Sequence, residues 1–526
     1  MVCELHKDIA YPLILAKEKE LAGIRQLANQ TIWYGLSNIV GRFINYLLTP
    51  ILTYIYASAD YGDISILFAT AAFLNIVFTY GMETSYFRFT QTEEQQKVFN
   101  TTFSMLLITT TTFLLLLLFP IQHIADIMQL STHPEWLIYV VVIVALDTFA
   151  VIPFSKLRQD GKPKKFAAVK LLNIFINMFF VIFFLYFCKE DYESGKQTFF
   201  ASLYNPNIGI GYVFIANLIA SAATLLMLLK EFSHFEISLN KKLIKEIFIY
   251  STPLIIVGFG GIINETIDRF MIVYHFNGTA EEARSANGIY SANYKLAVLI
   301  VLFIQTFRMG AEPYFFKQST KDNAKDTYAR IMHFFIIVCS FCFLGVVLFL
   351  DIWKHFMGIN KHPEYLQGLF IVPILMLAKI FLGIYYNLSV WYKLTNKTSI
   401  GAIITLIGAA LTVLVNFLLI PYLGYLACAI ATVVCYGSMM VISYIQGQKH
   451  YAIPYDIKSA FFYISIALLF FIVHYGARSL DVEVIWLHFL GTVLSLSYML
   501  IVLKKEKKEL IKIPILNRVY KSSLKP

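Results

Sequence analysis

Charge is scarce in this sequence. Only 14% of its residues are Asp, Glu, Lys or Arg, and 58% are hydrophobic, whereas soluble domains carry roughly 25% charged residues. Such a chain cannot clothe a globular surface in water-compatible side chains, which excludes an ordinary soluble enzyme. Long polar stretches are missing too, so no soluble domain is inserted between the apolar runs. Cysteine is sparse, with six residues, most of them within apolar runs. Cys339 and Cys342 form a C-x-x-C without a second ligand pair, so small buried side chains are expected there, with no metal and no cofactor. No nucleotide-binding glycine loop is present. The first apolar run is too long, and too polar on one face, to be the core of a cleavable signal.

What the chain does have is a series of apolar runs, with a mean hydropathy of +0.65. Each run approaches the ~20 residues that cross a hydrocarbon core. They are continuous rather than alternating, which predicts helices instead of a barrel. The expected spans are 30–56, 62–88, 98–120, 134–155, 166–187, 207–229, 247–275, 287–316, 328–350, 364–392, 398–420, 423–446, 459–477 and 484–503. The fold class is therefore an all-α polytopic membrane protein of about fourteen transmembrane helices. With the N-terminus in the cytoplasm, the outer loops hold only Lys189, Lys196, Arg284, Lys354, Lys361 and Arg478. Six more cations, Arg42, Lys170, Arg269, Lys295, Arg308 and Lys379, fall inside spans, leaving 31 of the 43 on the cytoplasmic side. This bias predicts both termini cytoplasmic, and it accounts for the net charge of +10 without nucleic acid as a partner.

The chain also repeats. The first outer turn runs Asp60-Tyr61-Gly62-Asp63-Ile64-Ser65, and the seventh-to-eighth connection runs Ala286-Asn287-Gly288-Ile289-Tyr290-Ser291. In each, Gly precedes Ser by three residues at the start of a helix. Each of those helices ends with an acid before an aromatic pair, at Glu83 with Tyr86-Phe87 and at Glu312 with Tyr314-Phe315. Basic turns at Asp160-Gly161-Lys162 and Asn396-Lys397 follow the fourth and tenth spans. The expected organisation is a cytoplasmic segment 1–27, a six-helix bundle 28–230, a second six-helix bundle 231–447, two additional helices 448–503 and a basic cytoplasmic tail 504–526. Six plus six keeps both halves in one orientation, related by an axis along the membrane normal.

Gln26 to Pro50, followed by Asp60-Tyr61-Gly62, resembles the opening of bacterial oligosaccharide and polysaccharide flippases, O-antigen and lipid II flippase-like. These belong to the multidrug, oligosaccharidyl-lipid and polysaccharide exporter superfamily. Ala286 to Ala292 and Arg308 to Phe315 look like the second-half counterparts. The resemblance implies two pseudo-symmetric bundles in a MATE-like V around a central cavity, plus two extra helices. It implies a transporter, not an enzyme, in the bacterial inner membrane. The substrate would be a lipid-linked (undecaprenyl-diphosphate) oligosaccharide for surface polysaccharides such as O-antigen in lipopolysaccharide. Transport would run without ATP, with possible H+ or Na+ coupling and with membrane lipids, a polymerase and glycosyltransferases as partners. A MATE-type drug exporter is the first alternative, disfavoured by the two extra helices and the central Arg42. A membrane polymerase or ligase is the second. It is disfavoured because outer loops 188–206 and 351–363 lack a paired acidic motif and His123, His133, His355 and His362 stand singly.

A diphosphate headgroup needs cations in a hydrated space, and charges inside a membrane avoid lipid because each costs at least roughly 2.5–3.5 kcal/mol at a helix centre. Tyr34, Asn38, Arg42, Asn45 and Thr49 share one face of the first span. They read as cavity wall, with an interhelical cluster through Asn75 or Asp147 as the competing reading. Arg42, Asn38, Asn45, Arg269, Lys295 and Lys379 are the candidate substrate-binding residues, and Asp268, Glu265 and Asp147 the candidate ion-coupling residues. Glu265 and Arg269 could instead form an i,i+4 pair, and Lys379 could pair with Asp147. Glu83 and Glu312 are expected to be structural. Pro50, Pro153, Pro253 and Pro373 interrupt the first, fourth, seventh and tenth spans.

Overall fold

The structure is a computed structural model that describes residues 39–44, 46–319, 321–480 and 482–510. Its long elements are α1 (Ile39–Ile55), α2 (Ser58–Phe89), α3 (Gln95–Leu118), α4 (Pro134–Gln159), α5 (Pro163–Glu193), α6 (Gly211–Phe232) and α7 (Lys241–His275). They continue with α8 (Ala280–Gln318), α9 (Ala324–Val347), α10 (Pro363–Leu394), α11 (Thr398–Leu423), α12 (Tyr425–His450), α13 (Ile457–Ser479) and α14 (Val484–Lys505). Among the described residues, 13 helices, α2 to α14, are long and apolar enough to cross a membrane. The expected first span is represented by α1, and its expected start at residue 30 lies outside the described residues. The chain is thus a multi-pass, all-helical membrane protein.

Local chemistry sets the helix starts. Pro134 and Pro163 occupy the first turns of α4 and α5, where a missing N–H costs nothing. Thr279 and Glu282 close a reciprocal capping box ahead of α8. Three departures from the expected spans have visible causes. α10 opens as a 3-10 stretch, Pro363–Ile371, because Pro373 has no N–H for a regular α-helical bond; Val372 donates to the Leu369 carbonyl instead. α5 gains length through a π-helical turn at Phe183–Cys188. Segments read as loops contain short helices at Ile121–Ile127 and Leu350–Trp353.

The repeat is visible in hydrogen bonds. After α4, Gly161 adopts φ 65° and the Lys162 N–H donates to the Leu157 carbonyl at 2.9 Å. After α10, Asn396 adopts φ 56° and the Lys397 N–H donates to the Tyr392 carbonyl at 2.8 Å. Both are left-handed helix stops with the same bond five residues back. Three residues before each left-handed position stands a cation, Arg158 or Lys393. Arg158 pairs with Glu83 of α2, and Lys393 pairs with Glu312 of α8. In each half, therefore, the second helix is tied to the end of the fourth by one carboxylate.

Two compact units divide the chain, residues 1–48 with 70–258 and residues 49–69 with 259–526; the boundaries fall inside α1, α2 and α7. The first unit is centred on Met82, Tyr86, Phe99, Phe103, Ile152 and Ile247. The second has a core of Leu382, Tyr385, Ile404, Tyr436 and Met439. α13 and α14, outside the repeat, pack on α9: Tyr498 donates to the Ile337 carbonyl at 3.2 Å, and Tyr463 lies edge-on to His333.

Candidate substrate and ion site

On α7, Asn264, Glu265, Asp268 and Arg269 fall at i, i+1, i+4 and i+5, which places them on one face. That face meets Tyr290 and Tyr294 of α8, Lys379 of α10 and Tyr436 of α12. Lys379 is 1% exposed, and its ammonium donates to the Tyr294 hydroxyl at 2.5 Å and lies 3.8 Å from the Glu265 carboxylate. Tyr294 and Tyr436 donate to opposite oxygens of Glu265 at 3.4 and 3.1 Å. Lys379, Tyr294 and Glu265 thus form a continuous chain of donors and acceptors. Asp268 accepts from the Tyr290 hydroxyl and lies 3.7 Å from the Arg269 guanidinium. Arg269 also donates to the Glu265 carbonyl and rests over the Tyr294 ring at 4.6 Å. Two acids and two cations balance, in a region where an unbalanced charge is expensive.

Solvent access divides this cluster. The side chains of Asp268 and Arg269 are 4% and 10% exposed, while that of Glu265 is 43% exposed. Beside Tyr294, Lys295 is half-buried and has no hydrogen-bond or ion-pair partner among the described residues. The like charge of Arg269 acts on it.

In the first unit, Arg42 is exposed on α1; Asn38 and Asn45 lie outside the described residues. Asp147 is exposed in the middle of α4 and accepts from the Ser221 hydroxyl at 2.7 Å. Lys170 rests over the Phe154 ring at 4.4 Å. The structure therefore brings together Glu265, Asp268, Arg269 and Lys379, with Lys295 adjacent. The contacts of Lys379 named above are to Glu265 and Tyr294, and that of Asp147 is to Ser221. Arg269 takes the backbone oxygen of Glu265 and lies 3.7 Å from the carboxylate of Asp268. Tyr290, Tyr294 and Tyr436 went unread in the sequence. The only signal available was the spacing of Tyr290 and Tyr294, which puts both on the face of α8 next to Lys295.

A second feature of the same unit involves the two repeat motifs. The Ser58 and Ser285 hydroxyls meet at 2.7 Å, and so do those of Ser65 and Ser291. Asn287 donates to the Gly62 carbonyl at 2.9 Å, and Arg284 lies 3.5 Å from Asp63. A Cβ on Gly62 would stand 2.1 Å from the Arg284 carbonyl oxygen, and one on Gly288 would stand 1.7 Å from that of Ser58. The two glycines exist because the backbones touch. The two repeat motifs face each other across this seam, and Ser65 and Ser291 occupy matching positions in them. The segment leading into α10 braces it: Tyr365 donates to the Tyr56 carbonyl and Gly358 to the Thr53 hydroxyl.

A model of the polysaccharide biosynthesis protein family matches residues 27–319, more than half of the 526-residue chain. The chain belongs to the polysaccharide biosynthesis protein family. The matched stretch carries both seam motifs and the α7 acids, and it stops before Lys379 and Tyr436. No curated protein matches the sequence. Among solved structures, this member of the family is similar to a lipid II flippase, MurJ, in an inward closed conformation. That likeness has a TM-score of 0.65 at 15% identity and covers 90% of this chain and 99% of the flippase. It is also similar to an inward-facing multidrug resistance MATE transporter, with a TM-score of 0.59 at 12% identity, over 80% of this chain and 94% of the transporter. At these identities the likeness establishes a shared fold, the MurJ and MATE fold expected from the sequence.

Proposed function

We propose that this protein moves a lipid-linked oligosaccharide, carried on undecaprenyl diphosphate, from the cytoplasmic to the outer leaflet of a bacterial inner membrane. The observation that carries the reading is Lys295, a half-buried intramembrane cation without a hydrogen-bond or ion-pair partner among the described residues, next to Tyr294 of the charged cluster. A structural lysine at this depth would be paired, as Lys379 is, because an unpaired one costs several kcal/mol. A cation kept ready for a transient anion has the arrangement Lys295 shows. Arg42 is a further candidate cation for an anionic headgroup. Glu265 and Asp268 supply the ion coupling, Asp147 is a separate candidate for it, and both termini are cytoplasmic. An apolar cavity of about 490 Å³ between α9, α10, α12 and α13 supports a substrate with a hydrocarbon part.

Lys295→Met is the test. It breaks no contact, so thermal stability should equal or exceed that of the parent. Movement of a labelled polyprenyl-diphosphate sugar in liposomes, without ATP, should fall at least about tenfold, the loss of one charge-assisted contact or more. Unchanged movement would remove the cationic site; export of organic cations in its place would favour a drug transporter, and polymer formation an enzyme.

Alternating access requires the α2 and α8 starts to part whenever the expected outer side opens. Ser65→Cys combined with Ser291→Cys replaces hydroxyls 2.7 Å apart, which is within disulfide reach. Mild oxidation is expected to cross-link the pair and stop transport, with full recovery on reduction; either single variant should be insensitive.

A further inference from the structure

At the expected outer end of the second unit, two of the six outer cations converge on one carboxylate. Asp351, only 7% exposed, lies 3.0 Å from Lys354 and 2.6 Å from Arg478. Burial by itself would raise the Asp351 carboxyl. The hydrogen bond from Lys354 and the charge of Arg478 outweigh that and hold it below the usual carboxylate range. The triad therefore keeps one net positive charge at neutral pH, and both cations meet the same carboxylate oxygen, Oδ1.

This triad stands at the mouth of a cavity of about 370 Å³. One wall is α13, whose Phe471, His474, Tyr475 and Arg478 repeat at i, i+3, i+4 and i+7 and so share a face. The facing wall is the start of α10, where Leu366, Leu369, Phe370 and Pro373 follow the same spacing. Cations crowd one end. From Arg478 down to Phe471, about 10 Å along the helix, the walls become apolar. Tyr475 is 56% exposed and Phe370 45% exposed, so the trough opens sideways. A cationic mouth above a lateral apolar trough, at the level of a membrane interface, fits an amphiphile with an anionic head.

We propose that this trough binds an anionic glycerophospholipid of the outer leaflet. Its phosphodiester would sit on Lys354 and Arg478, and an acyl chain would lie between α10 and α13. The net charge of the triad selects a lipid carrying one negative charge. A zwitterionic lipid carries no net charge with which to balance the triad. The site is built by α13, a helix outside the repeat, and is independent of the transport reading.

The full-length protein, purified in detergent with equal phosphatidylglycerol and phosphatidylethanolamine, is expected to retain one phosphatidylglycerol more than the Lys354→Ala/Arg478→Ala variant in native mass spectrometry. Lys189→Ala, an outer cation elsewhere, should retain as many as the parent. Because the double variant also disturbs Asp351, Tyr475→Trp provides a reading with the charges intact. Its added fluorescence should be quenched at least twofold more by dibrominated phosphatidylglycerol than by dibrominated phosphatidylethanolamine at equal mole fraction. Equal quenching by the two lipids, or equal lipid retention by parent and double variant, would overturn the assignment.

Discussion

Arg269→Met is expected to lower the unfolding free energy by about 3–5 kcal/mol, the cost of stripping one partner from a buried pair. The Asp268 side chain is 4% exposed, and Arg269, 3.7 Å away, is the cation it faces. One of its oxygens has no hydrogen-bond partner among the described residues, while the other is held by Tyr290. Without the guanidinium, the carboxylate must take up a proton or drag water into the α7–α8 contact. Loss of the stacking over Tyr294 adds to the damage. The remedy is specific: Asp268→Asn in the same chain removes the stranded charge and should restore more than half of the loss. Denaturant titration of the parent, both single variants and the double variant measures the coupling. A loss below about 1 kcal/mol in Arg269→Met would show that the Asp268–Arg269 contact does not behave as a buried ion pair. The cycle also guards the transport assay, since an unfolded fraction would otherwise pass for a binding defect.

Gly288→Ala is expected to be the most disruptive added methyl group among the described glycines. The added carbon would lie 1.7 Å from the Ser58 carbonyl oxygen and 3.0 Å from the Gly62 nitrogen. Both obstacles are backbone, so no side-chain rotation relieves them. α2 must retreat from α8, breaking the Ser58–Ser285 and Ser65–Ser291 contacts and exposing the Gly62 carbonyl that Asn287 now holds. Overpacking typically costs about 1–3 kcal/mol, and the lost hydrogen bonds add about 1 kcal/mol each. Cysteine at position 65 should then label with a membrane-impermeant maleimide from the expected outer side several-fold faster than in the Gly288 parent. Transport should fall at least about tenfold as the closed arrangement is lost. Gly261, with open space where its Cβ would be, is the matched control, and Gly261→Ala should leave both readings unchanged.

The same seam separates what could be read early from what could not. Gly62 and Gly288 stood out in the sequence because each precedes a serine by the same spacing, which marked a repeat. That they touch each other is a matter of packing, invisible to a pattern that compares each half only with itself. Glu83 and Glu312 were expected to be structural, and the structure supplies the partners: a cation three residues before a left-handed turn in each half. The spacing of Glu265 and Arg269 pointed to an ion pair along one helix. In three dimensions the guanidinium also meets Asp268, a carbonyl and the Tyr294 ring, while Lys379 of a distant helix approaches the Glu265 carboxylate.

Membrane residence, an all-helical fold and the repeat followed from the sequence alone. Hydrocarbon demands long apolar runs and helical backbone, and those demands act residue by residue along the chain. Which charges are neutralised was decided only in three dimensions. Lys379 and Lys295 look alike in sequence, each a lone lysine within an apolar run. One is enclosed by Glu265, Tyr294 and Tyr436, and the other is half-buried and feels the like charge of Arg269. Charge pairing over a few ångströms depends on side chains that meet from helices more than 80 residues apart, and no local pattern encodes that distance.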